Sequence, residues 1–103
     1  MYKLDLLPTA QRQKDKMLDY IKHDFYNPTA AKRINKQIDN AFMRIRRMPY
    51  SCPVYESDVV SEHEYRKLIV KNYIVLYWVD DDDKTITVAR IFHGKQNYED
   101  MTE

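Results

Sequence analysis

The chain has 103 residues, of which 44% are hydrophobic and 32% charged, and its formal net charge is +1. This is enough for a single globular domain, 1–103, and the balance is not that of a disordered chain. No apolar run approaches the roughly 20 residues that cross a bilayer, and Cys52, the single cysteine, excludes an internal disulfide and a cysteine-based zinc cluster. Since the N-terminus also lacks the apolar core of a signal peptide, we expect a cytoplasmic protein without membrane contact.

The charges are unevenly distributed along the chain. Residues 1–47 hold 11 Lys/Arg and 5 Asp/Glu, a net charge of +6, whereas residues 48–103 hold 6 Lys/Arg and 11 Asp/Glu, a net charge of −5. A concentrated positive surface matters more for the choice of partner than the total charge does.

The first elements are predicted to be a strand and a helix. Residues 2–6 alternate apolar and polar side chains, the pattern of a half-buried strand. Apolar side chains then recur at helical spacing from Ala10 to Phe25, with Thr9 as the predicted N-cap.

A second helix has the clearest pattern in the sequence. Asn27 and Pro28 predict its start, as N-cap and first helical residue, and Pro49 predicts its end. Its apolar side chains fall three or four residues apart and form one stripe: Ala31, Ile34, Ile38, Ala41, Phe42, Ile45 and Met48.

Cations lie off that stripe, at Lys32, Arg33, Lys36, Arg44, Arg46 and Arg47. Asp39 is the one acid that interrupts them. Such a face is compatible with simple solvation, with phosphate binding to RNA, or with attraction of an acidic protein. We therefore take Arg33, Lys36, Arg44 and Arg47 as candidates for nucleic-acid or partner binding.

The second half is predicted to contain a loop at 50–64, with a short extended piece at 59–60, and then three strands. The strands begin at Tyr65, at Tyr73 and at Thr85. The turn Lys71-Asn72 relies on the tolerance of Asn for positive φ, and Asp80–Asp83 forms the next turn. The apolar run Tyr73–Val79 predicts a central strand covered on both faces, and residues 97–101 predict a short helix. The predicted fold class is α+β, with a small antiparallel sheet packed against a helical hairpin.

Arg90 is the first candidate for chemistry. By strand alternation it shares a face with Ile86, Val88 and Phe92, and an arginine in such a row needs a partner. The partner is either an acid, Asp5 or one from the loop at 50–64, or a phosphate bound in a cleft.

The end of the last strand supplies three further candidates, His93, Lys95 and Tyr98. His93 and Tyr98 are able to exchange protons, and Lys95 is able to hold a phosphate, which together would serve RNA cleavage by 2′-hydroxyl attack. The alternative is that all three are ordinary surface residues.

Arg66 is a further candidate for nucleic-acid or partner binding. It is the neighbour of Lys67 on a strand, so only one of the two faces a given cleft. Their alternative role is to protect a sheet edge from pairing with another chain. His23 and His63 have no second ligand at metal-binding spacing, and we expect neither a metal nor another cofactor.

Several segments together carry a resemblance to a known family. They are the opening strand, Asn27-Pro28-x-x-Ala31, Met48-Pro49-Tyr50, Tyr65-Arg66-Lys67-Leu68, Asn72–Tyr77 and Arg90–Tyr98. In this combination nearly the whole chain resembles the RelE/ParE family of bacterial toxins from type II toxin–antitoxin pairs. The resemblance implies a cognate antitoxin, bound along the seam between hairpin and sheet and near the positive face, and usually autoregulation of the operon by the complex.

The family divides by mechanism into ribosome-dependent mRNA endonucleases of the RelE type and DNA gyrase inhibitors of the ParE type. Lys67 matches a lysine of the nucleases, whereas Ile74 and Gln96 stand where the nucleases carry arginines. The basic surface and the acid–base groups favour the nuclease, and the long hairpin and the His93-Gly94 ending favour the ParE type. Our sequence-based hypothesis is a metal-independent nuclease acting on mRNA at the ribosome, with gyrase inhibition or a non-toxic interaction module as alternatives. Its catalytic candidates are His93, Tyr98, Arg90, Lys95 and Lys67.

Overall fold

The computed structural model of the protein describes residues 1–24, 27–56 and 62–94. Its elements are β1 (Lys3–Leu6), α1 (Pro8–Asp19), a π-helical turn (Tyr20–Asp24), α2 (Pro28–Arg47), β2 (Arg66–Val70), β3 (Tyr73–Asp80) and β4 (Thr85–His93). Their order confirms the predicted α+β fold class. The extended piece predicted at 59–60 and the helix predicted at 97–101 lie outside the described residues.

The strands form one sheet in the order β1-β4-β3-β2. β2, β3 and β4 form the predicted antiparallel meander, whereas β1 lies parallel to β4 with Leu4 opposite Ile86. The sheet is therefore mixed at this edge. At the other edge, Val54 forms an isolated bridge with Arg66, so that the loop after α2 shields part of β2.

The start of α1 differs from the prediction. The helix begins at Pro8, Leu7 occupies the N-cap position without a side-chain hydrogen bond, and Thr9 lies inside the first turn. Proline tolerates this start because its missing N–H would have no helical partner there. The predicted Thr9 cap is therefore wrong.

The start of α2 is as predicted. Asn27 is the N-cap, and its Oδ1 accepts a hydrogen bond from the backbone N–H of Ala30 at 3.1 Å. Most of the predicted apolar stripe is buried, and Ile38 and Ile45 are fully so. Met48 is the exception, with 62% of its surface exposed, because α2 ends at Arg47 and Met48 leaves the helical conformation. In the described parts of the chain, no helix has the length and apolar character that a membrane span requires.

The core lies between the helices and one face of the sheet. It joins Ile38 and Ile45 of α2 to Val75 and Tyr77 of β3 and to Val88 of β4. Tyr77 is fully buried, and its hydroxyl donates to the carbonyl oxygen of Pro49 at 2.7 Å. Burial raises the pKa of Tyr77 well above its usual range, so the side chain remains a neutral donor that ties β3 to the end of α2.

The opposite face of the sheet is covered in part by a smaller apolar cluster. Ile74, Leu76 and Phe92 are buried there, and Tyr55 and Tyr65 pack against them. Because the main core covers the alternate residues of β3, this strand is buried on both faces over Ile74–Tyr77, as its apolar sequence predicted.

The turns of the meander form where they were predicted. Lys71, rather than Asn72, adopts the positive φ in the first turn (φ 55°), so the role assigned to the asparagine is wrong. In the second turn the carboxylate of Asp80 accepts hydrogen bonds from the backbone N–H groups of Asp82 and Asp83, at 3.0 and 3.1 Å. Lys84 closes that turn with a φ of 53°.

Candidate functional site

Lys67 and Arg90 lie in one row across the sheet face that points away from the helices, called the open face below. Lys67 pairs with Leu76, and Leu76 pairs with Arg90, so the three side chains project from the same face. The two cations stand two strand spacings apart, about 10 Å. Both are half-buried, a geometry that suits two long cationic side chains converging on one anion above Leu76.

A β-bulge decides which way Arg90 faces. The register places Tyr77 opposite Val88 but Leu76 opposite Arg90, so Ala89 is the extra residue. Ile86 and Val88 consequently belong to the main core, whereas Phe92 belongs to the cluster on the open face. The prediction that Arg90 shares a face with Ile86 and Val88 is therefore wrong.

The expected ion pair between Arg90 and Asp5 is not present. Among the described residues, the Arg90 side chain has neither a hydrogen bond nor an ion pair. Asp5 is exposed on the edge strand β1 and pairs in register with Thr87. The predicted pair with Asp5 is therefore wrong, whereas Asp58 of the loop lies outside the described residues and the phosphate role stays a prediction.

Apolar side chains lie next to the row of cations. Ile74 is only 6% exposed and packs with Leu76 and Phe92. This is the position at which the nucleases of the resembling family carry an arginine. Ile74, a member of a small apolar cluster, thus stands where the resemblance would place a third cation.

An aromatic group occupies the other side of the row. The ring of His63 stacks on Trp78, with centroids 3.8 Å apart and an interplanar angle of 3°. Tyr65 contacts Trp78 edge-on at 5.8 Å. Sequence reasoning missed this group. Tyr65 and Lys67 are two residues apart, so the sequence predicts that they project from the same face of the strand. No sequence signal connects His63, a loop residue, with Trp78.

His93 lies on the helix side of the sheet, away from Lys67 and Arg90. It pairs in register with Tyr73, and the two rings meet edge-on at 5.4 Å. His93 is three residues from Arg90 on an extended strand, so the two side chains project from opposite faces. Lys95 and Tyr98 lie outside the described residues.

A groove of about 570 Å³ lies beside His93, between the second half of α1, the start of β3 and the end of β4. Its lining is Gln13, Lys16, Met17, Tyr20, Tyr73, Ile91, Phe92 and His93. Gln13 ties the helix to the strand, since its Oε1 accepts from the backbone N–H of Ile91 at 2.8 Å. Burial, with a smaller contribution from Tyr20, raises the pKa of Tyr73. We call this feature the seam groove.

The candidates for partner binding separate into two groups. Arg33, Lys36, Arg44 and Arg47 are exposed on α2. Arg66 is half-buried, and its guanidinium donates to the carbonyl oxygen of Cys52 at 2.7 Å and pairs with Glu64 at 3.3 Å. Arg66 thus holds the loop against β2, and its guanidinium group is already bound within the chain.

In the part of the chain that the structure describes, no three His, Cys, Asp or Glu side chains are grouped closely enough to hold a metal ion.

One family model matches most of the chain. The model of the ParE toxin of the type II toxin–antitoxin system parDE matches residues 4–98. A chromosomal ParDE system from Pseudomonas aeruginosa is similar in structure, with a TM-score of 0.70 at 18% identity, over 90% of this chain and 96% of that chain. No curated protein matches the sequence.

Two RelBE complexes are similar as well. The complex from Mycobacterium tuberculosis gives a TM-score of 0.62 at 19% identity, over 89% of this chain and 96% of that chain. The complex from Escherichia coli gives 0.56 at 16% identity, over 93% of this chain and 100% of that chain. At these identities the likeness establishes the fold.

Proposed function

This chain belongs to the ParE toxin family of type II toxin–antitoxin systems, and we propose that it arrests growth by binding and inhibiting DNA gyrase, without cutting RNA. The observation that carries this choice is the separation of the three catalytic candidates that the structure describes. His93 projects from the helix side of the sheet, and Lys67 and Arg90 project from the open face. Cleavage by 2′-hydroxyl attack needs a base, an acid and a cation around one phosphate.

The apolar packing at Ile74 supports the same choice. The side chain is buried with Leu76 and Phe92, so the open face has two described cations where a nuclease of this family has more. An inhibitor that works by surface complementarity needs no proton transfer, and the missing arginines do not weaken it. Since gyrase acts on the chromosome, we place the toxin in the cytoplasm.

The antitoxin is expected to bind in the seam groove. A partner segment that folds on binding needs apolar anchors in a concave surface. In the seam groove, Met17, Tyr20 and Tyr73 would contact such anchors, and Lys16 would pair with a carboxylate of the partner.

The second candidate function is a ribosome-dependent mRNA endonuclease, which the row of Lys67 and Arg90 favours. Two cations over Leu76 are suited to one phosphate, and the aromatic group of His63, Tyr65 and Trp78 beside them is suited to a stacked base. This reading would move the site to the open face.

One purified preparation decides between the two candidates. ATP-dependent supercoiling of relaxed plasmid by gyrase and cleavage of ribosome-bound mRNA are measured side by side. We expect inhibited supercoiling and intact mRNA. Cleavage with normal supercoiling would refute the gyrase proposal.

Variants locate the site if cleavage is observed. An open-face nuclease requires that Lys67→Ala with Arg90→Ala reduce cleavage by roughly 10²-fold or more. The matched control is Lys3→Ala with Arg12→Ala, which removes the same charge from exposed positions elsewhere. A comparable loss in His93→Ala or Tyr98→Phe, with the fold intact, would instead support the end of β4 as the source of the acid and base.

A further inference from the structure

A row of exposed cations runs along α2 on the side away from the core. Arg33, Lys36, Asn40, Arg44 and Arg47 are all exposed and are spaced three or four residues apart, so they lie on one line of the helix surface. We call this row the α2 stripe. From Arg33 to Arg47 it is about 21 Å long, at a rise of about 1.5 Å per residue.

The stripe is uncompensated within the described chain. Asp39 is the one acid of α2, and it lies off the stripe and pairs with Lys14 of α1 at 4.0 Å. None of the four cationic side chains of the stripe has an ion pair or hydrogen bond among the described residues. Lys71 adds a further exposed cation, since it lines a small groove of about 250 Å³ together with Asn40 and Arg44.

We propose that the α2 stripe is a sequence-independent binding surface for the phosphate backbone of duplex DNA. Charge complementarity is the first reason. Three guanidinium groups and one ammonium group are held by a rigid helix, and duplex DNA carries about one charge per 1.7 Å of its axis. A stripe about 21 Å long therefore spans the rise of roughly six base pairs, enough for several phosphate contacts.

The composition of the stripe favours duplex DNA over other anions. A protein partner would need apolar anchors at the centre of its interface. The centre of the stripe is Asn40, and the exposed Ile69 lies beside the stripe, in the small groove. Single-stranded nucleic acid is usually held by aromatic side chains that stack on its bases, and the stripe contains none. Arg, Lys and Asn are among the side chains that bind the phosphates and sugars of a nucleic-acid backbone.

This inference rests on the proposed function, because a gyrase inhibitor meets its target together with bound DNA. The stripe would let the toxin hold the DNA that gyrase has engaged. Inhibition itself is assigned to the toxin–gyrase contact, so the two proposals can fail separately.

The test measures binding of the purified full-length chain to a fluorescein-labelled 20-base-pair DNA duplex by fluorescence anisotropy, between about 50 and 200 mM salt. Each lost phosphate contact reduces the slope of log affinity against log salt by about 0.9. The variant Arg33→Gln, Arg44→Gln, Arg47→Gln is therefore expected to flatten the slope by about 2 to 3 and to weaken binding at low salt by at least roughly tenfold.

Two variants act as controls. Lys3→Gln, Arg12→Gln, Lys22→Gln removes the same charge from exposed positions outside the stripe and is expected to bind the duplex as the wild type does. Replacing the three stripe arginines by lysines is expected to retain most of the affinity, since charge is conserved. Circular dichroism checks that each variant is folded.

Four outcomes would overturn the proposal: no duplex binding by the wild type, equal loss in both glutamine variants, tenfold tighter binding of an RNA of the same length, or loss of antitoxin binding alone in the stripe variant. Gyrase inhibition by a wild-type chain that does not bind the duplex would refute this inference and leave the proposed function standing. Duplex binding through the stripe without gyrase inhibition would refute the proposed function and leave the binding surface on α2 standing.

Discussion

Tyr2 and Tyr50 both donate hydrogen bonds to the carboxylate of Asp81, at 2.7 and 2.6 Å. Asp81 lies in the turn between β3 and β4, Tyr2 precedes β1, and Tyr50 follows α2, so one carboxylate joins three distant parts of the chain. Lys84 and Arg66 lie over the rings of Tyr2 and Tyr50. The bond to Asp81 raises the pKa of Tyr50 from 10.0 to about 12, and the bonds from Tyr50 and Tyr2 lower the pKa of Asp81.

These shifts have opposite consequences at the two ends of the pH scale. The pKa of Asp81 is lowered on folding, so its contribution to stability is present above the unfolded value of 3.8 and is lost as the pH falls through the folded value. The pKa of Tyr50 is raised, so its contribution is present below pH 10.0 and is lost as the pH rises toward 12. Because the side chains of Asp81 and Tyr50 are both exposed, solvent screening keeps the contribution of each to folding stability small.

The variant Asp81→Asn tests this network. The midpoint of the Tyr50 titration, followed by NMR on ¹³C-labelled tyrosine, is expected to fall from about 12 toward 10.0. Asp82→Asn is the matched control, because its carboxylate lies in the same turn and takes no part in these bonds. A Tyr50 midpoint that is the same in Asp81→Asn as in the wild type would refute the assigned cause.

At the level of elements, the hydrophobic periods predicted most of the fold. The buried apolar side chains of α2 and the uninterrupted apolar run of β3 each correspond to one way of burying side chains, so both were predictable. The side of the sheet from which Arg90 projects was not predictable. A single bulge at Ala89 reverses the alternation of side chains, and no sequence pattern indicates it. The α1 cap was mispredicted because proline itself starts the helix.

The candidate site was less predictable than the fold. Lys67 and Arg90 lie in one row only because of the register of three strands, and the stacking of His63 on Trp78 depends on the path of a loop. Both are properties of tertiary structure. The exposed cations of α2 were identified from the sequence because a single helix determines which residues share its surface.

The start of α2 supplies a test at this scale. Asn27→Ala removes the acceptor of the Ala30 N–H and is expected to lower the free energy of unfolding by about 0.5–2 kcal/mol. Asn40→Ala makes the same chemical change at an exposed position in the middle of the helix, where alanine is the better helix former, and is expected to be neutral or slightly stabilising. Urea denaturation of both variants measures the difference. Equal effects of the two substitutions would argue against a specific cap.

The described residues form three distinct surfaces around the core. The open face holds Lys67 and Arg90, the seam groove holds His93 and Tyr20, and the α2 stripe is an exposed basic helix surface. The net charge of +6 over residues 1–47 belongs to the half of the chain that contains α2. A small toxin arranged in this way is able to meet its antitoxin, its target and nucleic acid through different groups.

This separation predicts that antitoxin binding and duplex binding respond to different substitutions. Tyr20 is 53% exposed in the seam groove, so Tyr20→Ala should remove an aromatic anchor at little cost in folding. We expect it to weaken binding of the cognate antitoxin by roughly tenfold or more, as loss of an interface tyrosine commonly does. Duplex affinity should not change. The stripe variant Arg33→Gln, Arg44→Gln, Arg47→Gln should show the reverse pattern.

Titration calorimetry with the antitoxin and anisotropy with the duplex measure the two affinities on the same preparations. Growth after induction provides the cellular readout, since Tyr20→Ala should remain toxic while its rescue by the co-expressed antitoxin becomes incomplete. Parallel losses of both affinities in both variants would mean that the seam groove and the stripe form one continuous interface. In that case the antitoxin would cover the cations of α2 as well, and a toxin bound to its antitoxin would be unable to hold DNA through α2.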